Sequence, residues 1–455
     1  MRKVLIISPR FPPKNSADLH RVRTSLPFYQ QFGWEPTVLC LTPESSDGID
    51  DSLLEETLSK NIEIVRVIAW SEKNCRRFGF GHADYRAWAP LFRAGTRLLK
   101  RRPYDVVFFS TTMFPTFSMG PSWKARFGCK LVFDFQDPWY HIGPCPYTKA
   151  TAPGSWRKYK LSQTMARFFE RHALKIVDHV ISVSDGYVKN LSNRYQWLRA
   201  DQFTVLPFGI ATQDFEFAKR RRINHGVFRP DKNITRWVYA GRGGPDMNPT
   251  LAVFFEQLGA LRRRAPEFTA RLRVHFVGTN YAPSHRTYKL IEPLASRYGV
   301  GDLVDERSER LPYFQTLSLY LDADAILLIG SNSADYTASK FFNCVAAKKP
   351  VLGLFHRRSL VTKLACRFPN VTIADFDPDP SSPHMGDAVA RGIEWLRNPN
   401  FDLANVDREL EPWSAEEMTR IQCDIFSHVA DREPTSRHSQ RVLRERCPSS
   451  APDVS

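Results

Sequence analysis

Arg236-Trp237-Val238-Tyr239-Ala240-Gly241-Arg242-Gly243-Gly244-Pro245 is an apolar run that ends in a glycine-rich turn, and a helix-like stretch from Thr250 to Arg264 follows it. Arg273 to Val277 then reads as another strand, closed by Gly278. The chain opens in the same way. Val4-Leu5-Ile6-Ile7-Ser8 has the unbroken apolar character of a buried strand, and Pro9 to Asn15 is a loop. Ser16 is placed to cap a helix along which Leu19, Val22, Leu26 and Phe32 recur at near-helical spacing. Pro27 predicts a kink or an early stop in that helix. Gly33 closes it, and Thr37-Val38-Leu39-Cys40-Leu41 is the next strand.

The strand-glycine-helix pattern therefore starts twice. In the first half, further strands are expected at Glu63 to Ile68, Val106 to Ser110, Lys130 to Phe135, His179 to Val183 and Phe203 to Leu206. In the second they are expected at Ala323 to Ile329, Val351 to Phe355 and Val371 to Ile373. Apolar strands alternating with helices predict an α/β protein with parallel sheets covered on both faces. The first domain is assigned to 1–210 and the second to 211–410, because Lys219-Arg220-Arg221-Arg222 interrupts the apolar pattern between them. A C-terminal helix is expected over 411–430. Residues 431–455, rich in Arg, Ser and Pro, have the composition of a disordered tail.

Composition narrows the partners. The 455 residues suffice for two or three domains at about 150 residues each. The formal charge of +16 suggests an anionic partner: a phosphorylated small molecule, a membrane surface or nucleic acid. No basic and aromatic module of a nucleic-acid binder is visible, so nucleic acid is set aside. No segment reaches the roughly 18 apolar residues of a membrane span. The run Val4 to Ile7 is too short for the apolar core of a signal peptide. The eight cysteines contain no C-x-x-C pair, which predicts reduced thiols and a cytoplasmic protein. Arg93, Arg97, Lys100, Arg101 and Arg102 recur along a helix that also carries Leu91, Phe92, Leu98 and Leu99. This basic amphipathic pattern predicts contact with an anionic surface, the inner face of the cell membrane.

Four segments carry chemistry. The loop after the first strand leads into His20, Arg21 and Arg23 without any G-x-G-x-x-G, which argues against a standard dehydrogenase. Asp134-Phe135-Gln136-Asp137-Pro138-Trp139 puts polar groups at a strand end, where open α/β sheets bind ligands. In Gly241-Arg242-Gly243-Gly244, glycine permits close backbone approach and Arg242 supplies charge, as a diphosphate cradle requires. Ser339-Lys340-Phe341-Phe342-Asn343, with the run to Leu352, reads as a helix that Ser339 caps, a turn and a buried strand. Each segment also has a plain structural reading as an ordinary βα or αβ connection.

In this order, across about 1 to 430, the segments resemble the family-four glycosyltransferases of the GT-B fold. Asp178-His179-Val180-Ile181-Ser182-Val183-Ser184 and Val205-Leu206-Pro207-Phe208-Gly209-Ile210 add to the resemblance. It implies two Rossmann-like domains facing across a cleft, with an acceptor on the N-terminal one and a nucleotide sugar on the C-terminal one. It also implies retaining transfer, with no cofactor and no metal, to a glycan or lipid-linked acceptor in cell-surface polysaccharide synthesis. Asp137, Arg242 and Lys340 become the catalytic candidates. Gly241, Gly243, Asp335, Ser339 and Asn343 are expected around the donor, and Asn15, His20, Arg21 and Gln136 on the acceptor or phosphate side. The chain departs from the family at marked points. Asp335 and Asn343 stand where two glutamates are usual, Asp246-Met247-Asn248 where a lysine is usual, and Gln136 where histidine or arginine is common. These departures keep open a second reading: a catalytically silent GT-B protein that binds a nucleotide sugar or glycan.

Overall fold

The computed structural model describes residues 1–77, 81–140, 155–280, 288–331, 340–377 and 382–432. Strands β1 (Arg2–Ile7), β2 (Trp34–Leu41), β3 (Glu63–Val67), β4 (Val106–Ser110), β5 (Lys130–Phe135), β6 (His179–Ser182) and β7 (Phe203–Val205) form one sheet. Its order is β3-β2-β1-β4-β5-β6-β7, and every pairing is parallel. A second parallel sheet contains β8 (Thr235–Ala240), β9 (Leu272–Val277), β10 (Val304–Arg307), β11 (Ala325–Ile329), β12 (Val351–His356) and β13 (Val371–Phe376). Its order is β10-β9-β8-β11-β12-β13. In both, the strand order reverses beside the opening strand. Such a switch point leaves a crevice at the carboxyl ends of the strands.

The helices used below are α1 (His20–Ser25), α2 (Ala83–Arg101), α3 (Gly120–Phe127), α4 (Trp156–Leu174), α5 (Asn248–Arg264), α6 (Tyr313–Asp322), α7 (Phe341–Ala346) and α8 (Ala415–Asp431). Leu91 and Leu98 of α2, Trp123 of α3 and Ala173 of α4 pack together on one face of the first sheet. On the other face, Val22 of α1 meets Met418, Phe426 and Val429 of α8. The last helix thus crosses back to complete the N-terminal core. The Ser414 hydroxyl accepts the Glu417 N–H at 3.1 Å and caps it. Phe426 lies 5.1–6.3 Å, ring centre to ring centre, from Phe108, Trp34 and Tyr29.

Several expectations are corrected. The helix after Ser16 is only a 3-10 turn (Ala17–Leu19) and six residues of α1, and Ser16 makes no capping bond. It stops at Ser25 because Pro27 has no N–H to continue the hydrogen-bond ladder, although Leu26 itself keeps helical geometry. Lys219-Arg220-Arg221 does not interrupt the fold. These residues are the basic last turn of a helix, Thr212–Arg221, whose Phe215 and Ala218 are buried in the C-terminal core. The apolar residues Leu91, Leu98 and Leu99 of α2 are likewise buried, so that helix offers only Arg93, Arg97, Lys100 and Arg101 to solvent. Strand β10 escaped the reading because it is a polar edge strand in which buried and exposed residues alternate. Among the described residues, no helix is long and apolar enough to cross a membrane.

The two sheets are joined where the chain passes between them twice. The Ile210 N–H donates to the Trp413 carbonyl at 2.8 Å, and the Ala415 N–H donates to the Ile210 carbonyl at 2.8 Å. A Cβ on Gly209 would fall 2.7 Å from the Met418 side chain and 3.1 Å from the Trp413 carbonyl, so only glycine lets the passages lie this close. Beside them, Arg23 of α1 is ion-paired with Asp214, and the Tyr313 hydroxyl of α6 donates to the same carboxylate at 2.9 Å. Asp51 accepts the Tyr313 N–H at 2.8 Å. Replacing Phe426 by Ala removes the ring that joins α8 to the first sheet. Chemical denaturation is expected to show a loss of about 3–5 kcal/mol.

Candidate active site

The first sheet contributes the loop after β1 and the end of β5. Asp18 is the hub of that loop. Its carboxylate accepts the Thr112 N–H and the Thr111 and Thr112 hydroxyls at 3.0–3.1 Å, and pairs with Arg10 at 3.1 Å. Asp134, at the end of β5, is fully buried. It accepts from Arg21 Nε at 2.7 Å, the Ser110 hydroxyl at 2.8 Å and Gln136 Nε2 at 2.7 Å. Arg21 also donates to the carbonyls of Leu206 and Pro207. It is therefore a positioning residue that pins α1 to β5 and to the interdomain passage, and it lines neither cavity of the cleft. This corrects its expected place on the acceptor side.

Asp137, two residues past β5, opens into the cleft. Burial, reinforced by the nearby charge of Asp18, pushes its carboxyl up to about 6. His20, at the start of α1, holds Asn15 Oδ1 at 3.1 Å and lies 4.4 Å from the Tyr313 ring. Burial and the adjacent Arg23 and Arg310 keep its pKa well below the ordinary imidazole value, so it is neutral at pH 7.

The second sheet contributes the turn after β8. Lys340, which precedes α7, reaches under that turn, and its ammonium donates to the Ala240 carbonyl 4.6 Å from the centre of the Tyr239 ring. A Cβ on Gly241 would fall 1.6 Å from Lys340 Nζ, so glycine is required for the lysine to fit. Burial and the charges of Arg310 and Arg242 push Lys340 down to about 8. Arg242 holds Asp246 through both nitrogens of its fork at 2.6 and 2.9 Å, which sets the direction of its guanidinium. Gly243 is spent on a backbone bond to the Thr279 carbonyl at 2.7 Å rather than on the cavity wall. Met247 is buried beneath Tyr239 and belongs to the core, so no cation stands there. Asp335 and Ser339 lie outside the described residues.

These groups surround two adjoining cavities. The larger, about 390 Å³, has Gly241, Arg242, Arg310, Lys340 and Asn343 on its C-terminal side and Asn15 and His20 on its N-terminal side. The smaller, about 290 Å³, sets Arg10, Thr112 and Gln136 opposite Phe341, Val361 and Leu364. Asp137 and Phe208 are on the wall of both. Arg310 and Tyr313 were missed in the sequence. Glu309 to Tyr313 follows β10, so recognising that strand would have placed them at a carboxyl edge. Among the described residues, no group of three or more His, Cys, Asp or Glu is arranged to hold a metal.

The sequence profile of Glycosyltransferase Family 4 matches residues 21–214. Over that stretch the chain is similar to the family-four glycosyltransferases. Between 93% and 95% of the chain superposes on solved structures of the same fold. A glycosyltransferase from Rickettsia africae superposes with a TM-score of 0.59 at 14% identity, over 95% of this chain and 99% of that one. Anabaena HepE in complex with UDP gives 0.59 at 14% identity, over 94% and 100%. WaaG, a glycosyltransferase involved in lipopolysaccharide biosynthesis, gives 0.54 at 16% identity, over 93% and 99%. No curated protein matches in sequence. Gly241→Ala should displace Lys340 without unfolding the domain, because only the end of a flexible side chain must move. Titration with a nucleoside diphosphate should then show the same weakening as Lys340→Ala. For the native chain, affinity should be full below about pH 8, where Lys340 carries its proton, and should fall as pH rises past that value.

Proposed function

We propose that the chain is a retaining glycosyltransferase. It moves a sugar from a nucleotide sugar in the larger cavity to a glycan or lipid-linked acceptor in the smaller one, as a step of cell-surface polysaccharide synthesis at the cytoplasmic face of a membrane. The observation that carries this reading is the meeting of the two cavities at Asp137, with Lys340, Arg242 and Arg310 on the far wall of the larger one. Cations gathered at one wall repel one another, and a bound diphosphate relieves that repulsion. The UDP bound to HepE and the UDP-2-fluoro glucose bound to a similarly folded protein from E. coli make UDP-sugars the first donors to test.

In the proposed reaction, the bond from the anomeric carbon to the diphosphate oxygen breaks as the acceptor oxygen bonds to the same face of that carbon. The acceptor proton passes to the departing diphosphate. Lys340, Arg242 and Arg310 stabilise the charge that grows on that leaving group. This is the charge neutralisation that a divalent ion supplies elsewhere, and transfer is proposed to need no metal. Asp137, ionised above about pH 6, accepts a hydrogen bond from the acceptor hydroxyl and orients it. The second reading, a silent nucleotide-sugar binder, is favoured by one observation. Asn343, a neutral amide, lines the donor cavity where the family resemblance expects a carboxylate.

Incubation with a panel of UDP-sugars separates the two readings. Release of UDP, insensitive to EDTA, is expected from the enzyme, whereas binding without release supports the silent protein. The anomeric configuration of the product, read by NMR, tests retention. Arg242→Ala and Lys340→Ala should each lower kcat/KM by about 10²–10³. Asp137→Asn should lower kcat by about 10² or more and abolish the fall in rate on acidification through pH 6. If both cation variants retain full activity, the donor site is misplaced.

A further inference from the structure

Gln136 carries one atom that the fold leaves unused. Its side chain is 6% exposed and lies on the wall of the smaller cavity. Nε2 is 2.7 Å from Asp134 Oδ2 and 3.3 Å from the Asp18 carbonyl oxygen. Both are acceptors, so the nitrogen end of the amide is fixed there and the oxygen is the end left over. That oxygen, Oε1, is buried and has no hydrogen-bond partner among the described residues. A buried acceptor is disfavoured unless something donates to it. Its neighbours are occupied elsewhere. Arg10 is held by Asp18 and Asp47, and the hydroxyls of Thr112 and Ser16 donate to Asp18. The arginine that the family resemblance allows at this position could donate but not accept. Across the cavity the chemistry changes. The C-terminal lining among the described residues is Phe341, Phe342, Leu360, Val361 and Leu364, all apolar.

We propose that the smaller cavity is an acetamido pocket: the sugar it takes carries an N-acetyl group, whose N–H donates to Gln136 Oε1 and whose methyl lies on the wall of Phe341, Val361 and Leu364. A sugar bearing only hydroxyls would turn some of them to that wall without partners. A bare hydrocarbon chain would suit the wall and leave Gln136 Oε1 unpaired. An N-acetyl group meets both demands, because it joins a donor to an apolar tip. The cavity holds about 290 Å³, the small end of ligand pockets at roughly 300–1,000 Å³, so it suits one ring with its substituent rather than a longer chain. Asp137, on the wall shared with the larger cavity, then faces a hydroxyl of the same ring. That this sugar is the acceptor rests on the transferase reading; the preference for the acetamido group does not.

Ligand-observed NMR titration of the full chain with UDP present tests it. The probes are methyl glucosides and galactosides that carry N-acetyl, N-formyl, O-acetyl or a free hydroxyl at C2. The O-acetyl probe keeps the methyl and loses the donor, and it should bind about tenfold or more weakly than the N-acetyl one. The N-formyl probe keeps the donor and loses the methyl, and it should bind about three- to tenfold more weakly. Gln136→Met should erase the difference between N-acetyl and O-acetyl. Leu364→Ala should bring the N-acetyl probe to the level of N-formyl and leave N-formyl unchanged. Titration with UDP establishes that each variant is folded. Should Gln136→Met fail that check, the half-buried Leu364 carries the test through the N-acetyl and N-formyl pair. The inference is overturned if the four probes bind alike, if none binds to a chain that binds UDP, or if the folded variants keep the native preferences. Release of UDP from a UDP-sugar is read separately. If release occurs without an acetamido preference, the transferase reading stands and the pocket falls. If the preference holds without release, the pocket stands and the sugar in it is a bound glycan rather than an acceptor.

Discussion

A single buried carboxylate, Asp214, sets how the two sheets face each other. It lies in the helix after the first interdomain passage and is gripped from the N-terminal side by Arg23 and from the C-terminal side by the Tyr313 hydroxyl. A charge removed from water this completely is tolerable only when its partners are in place. The relative position of the domains is thereby tied to a polar cluster rather than to a greasy patch. Much of the cleft follows from it. His20 is one turn before Arg23 and touches the Tyr313 ring, so the loop after β1 and the wall that carries Arg310 meet at this point.

Within the cleft, burial acts in opposite senses on the two sides. It raises the Asp137 carboxyl and lowers the Lys340 ammonium, because loss of water disfavours either charge. Both groups remain charged at neutral pH, facing a space large enough for a ligand. Shifts of this kind concentrate where charge is held ready for chemistry. Lys340 owes its position to an absence, the missing side chain of Gly241. The glycine there serves the lysine as much as any ligand.

Most strands were legible because parallel strands buried on both faces read as continuous apolar runs, as in β1, β4, β8 and β11. Edge strand β10 was not, since only alternate residues are buried, and its loss hid Arg310 and Tyr313. Arg21 was misread for a different reason. A sequence shows a cation near a ligand edge but not the buried carboxylate, Asp134, that captures it from 113 residues away. The basic run at 219–222 looked like a boundary because the residues that anchor its helix, Phe215 and Ala218, precede it. The exposed Leu161 and Phe168 of α4 could not be separated in sequence from core positions, because they have the spacing of a buried stripe. Only the packed structure shows which stripe of that helix faces the sheet.

The return of α8 to the first sheet also orders events during synthesis. The seven strands of the N-terminal sheet are complete once residue 205 has been made, yet the pocket that Phe426 fills stays open until the whole C-terminal sheet has been translated. The second domain can reach its final packing while the first still exposes Trp34 and Phe108 on one face. The first domain to be synthesised is therefore the last to be sealed, and a fragment ending at residue 210 would carry that unsealed face as an adhesive surface.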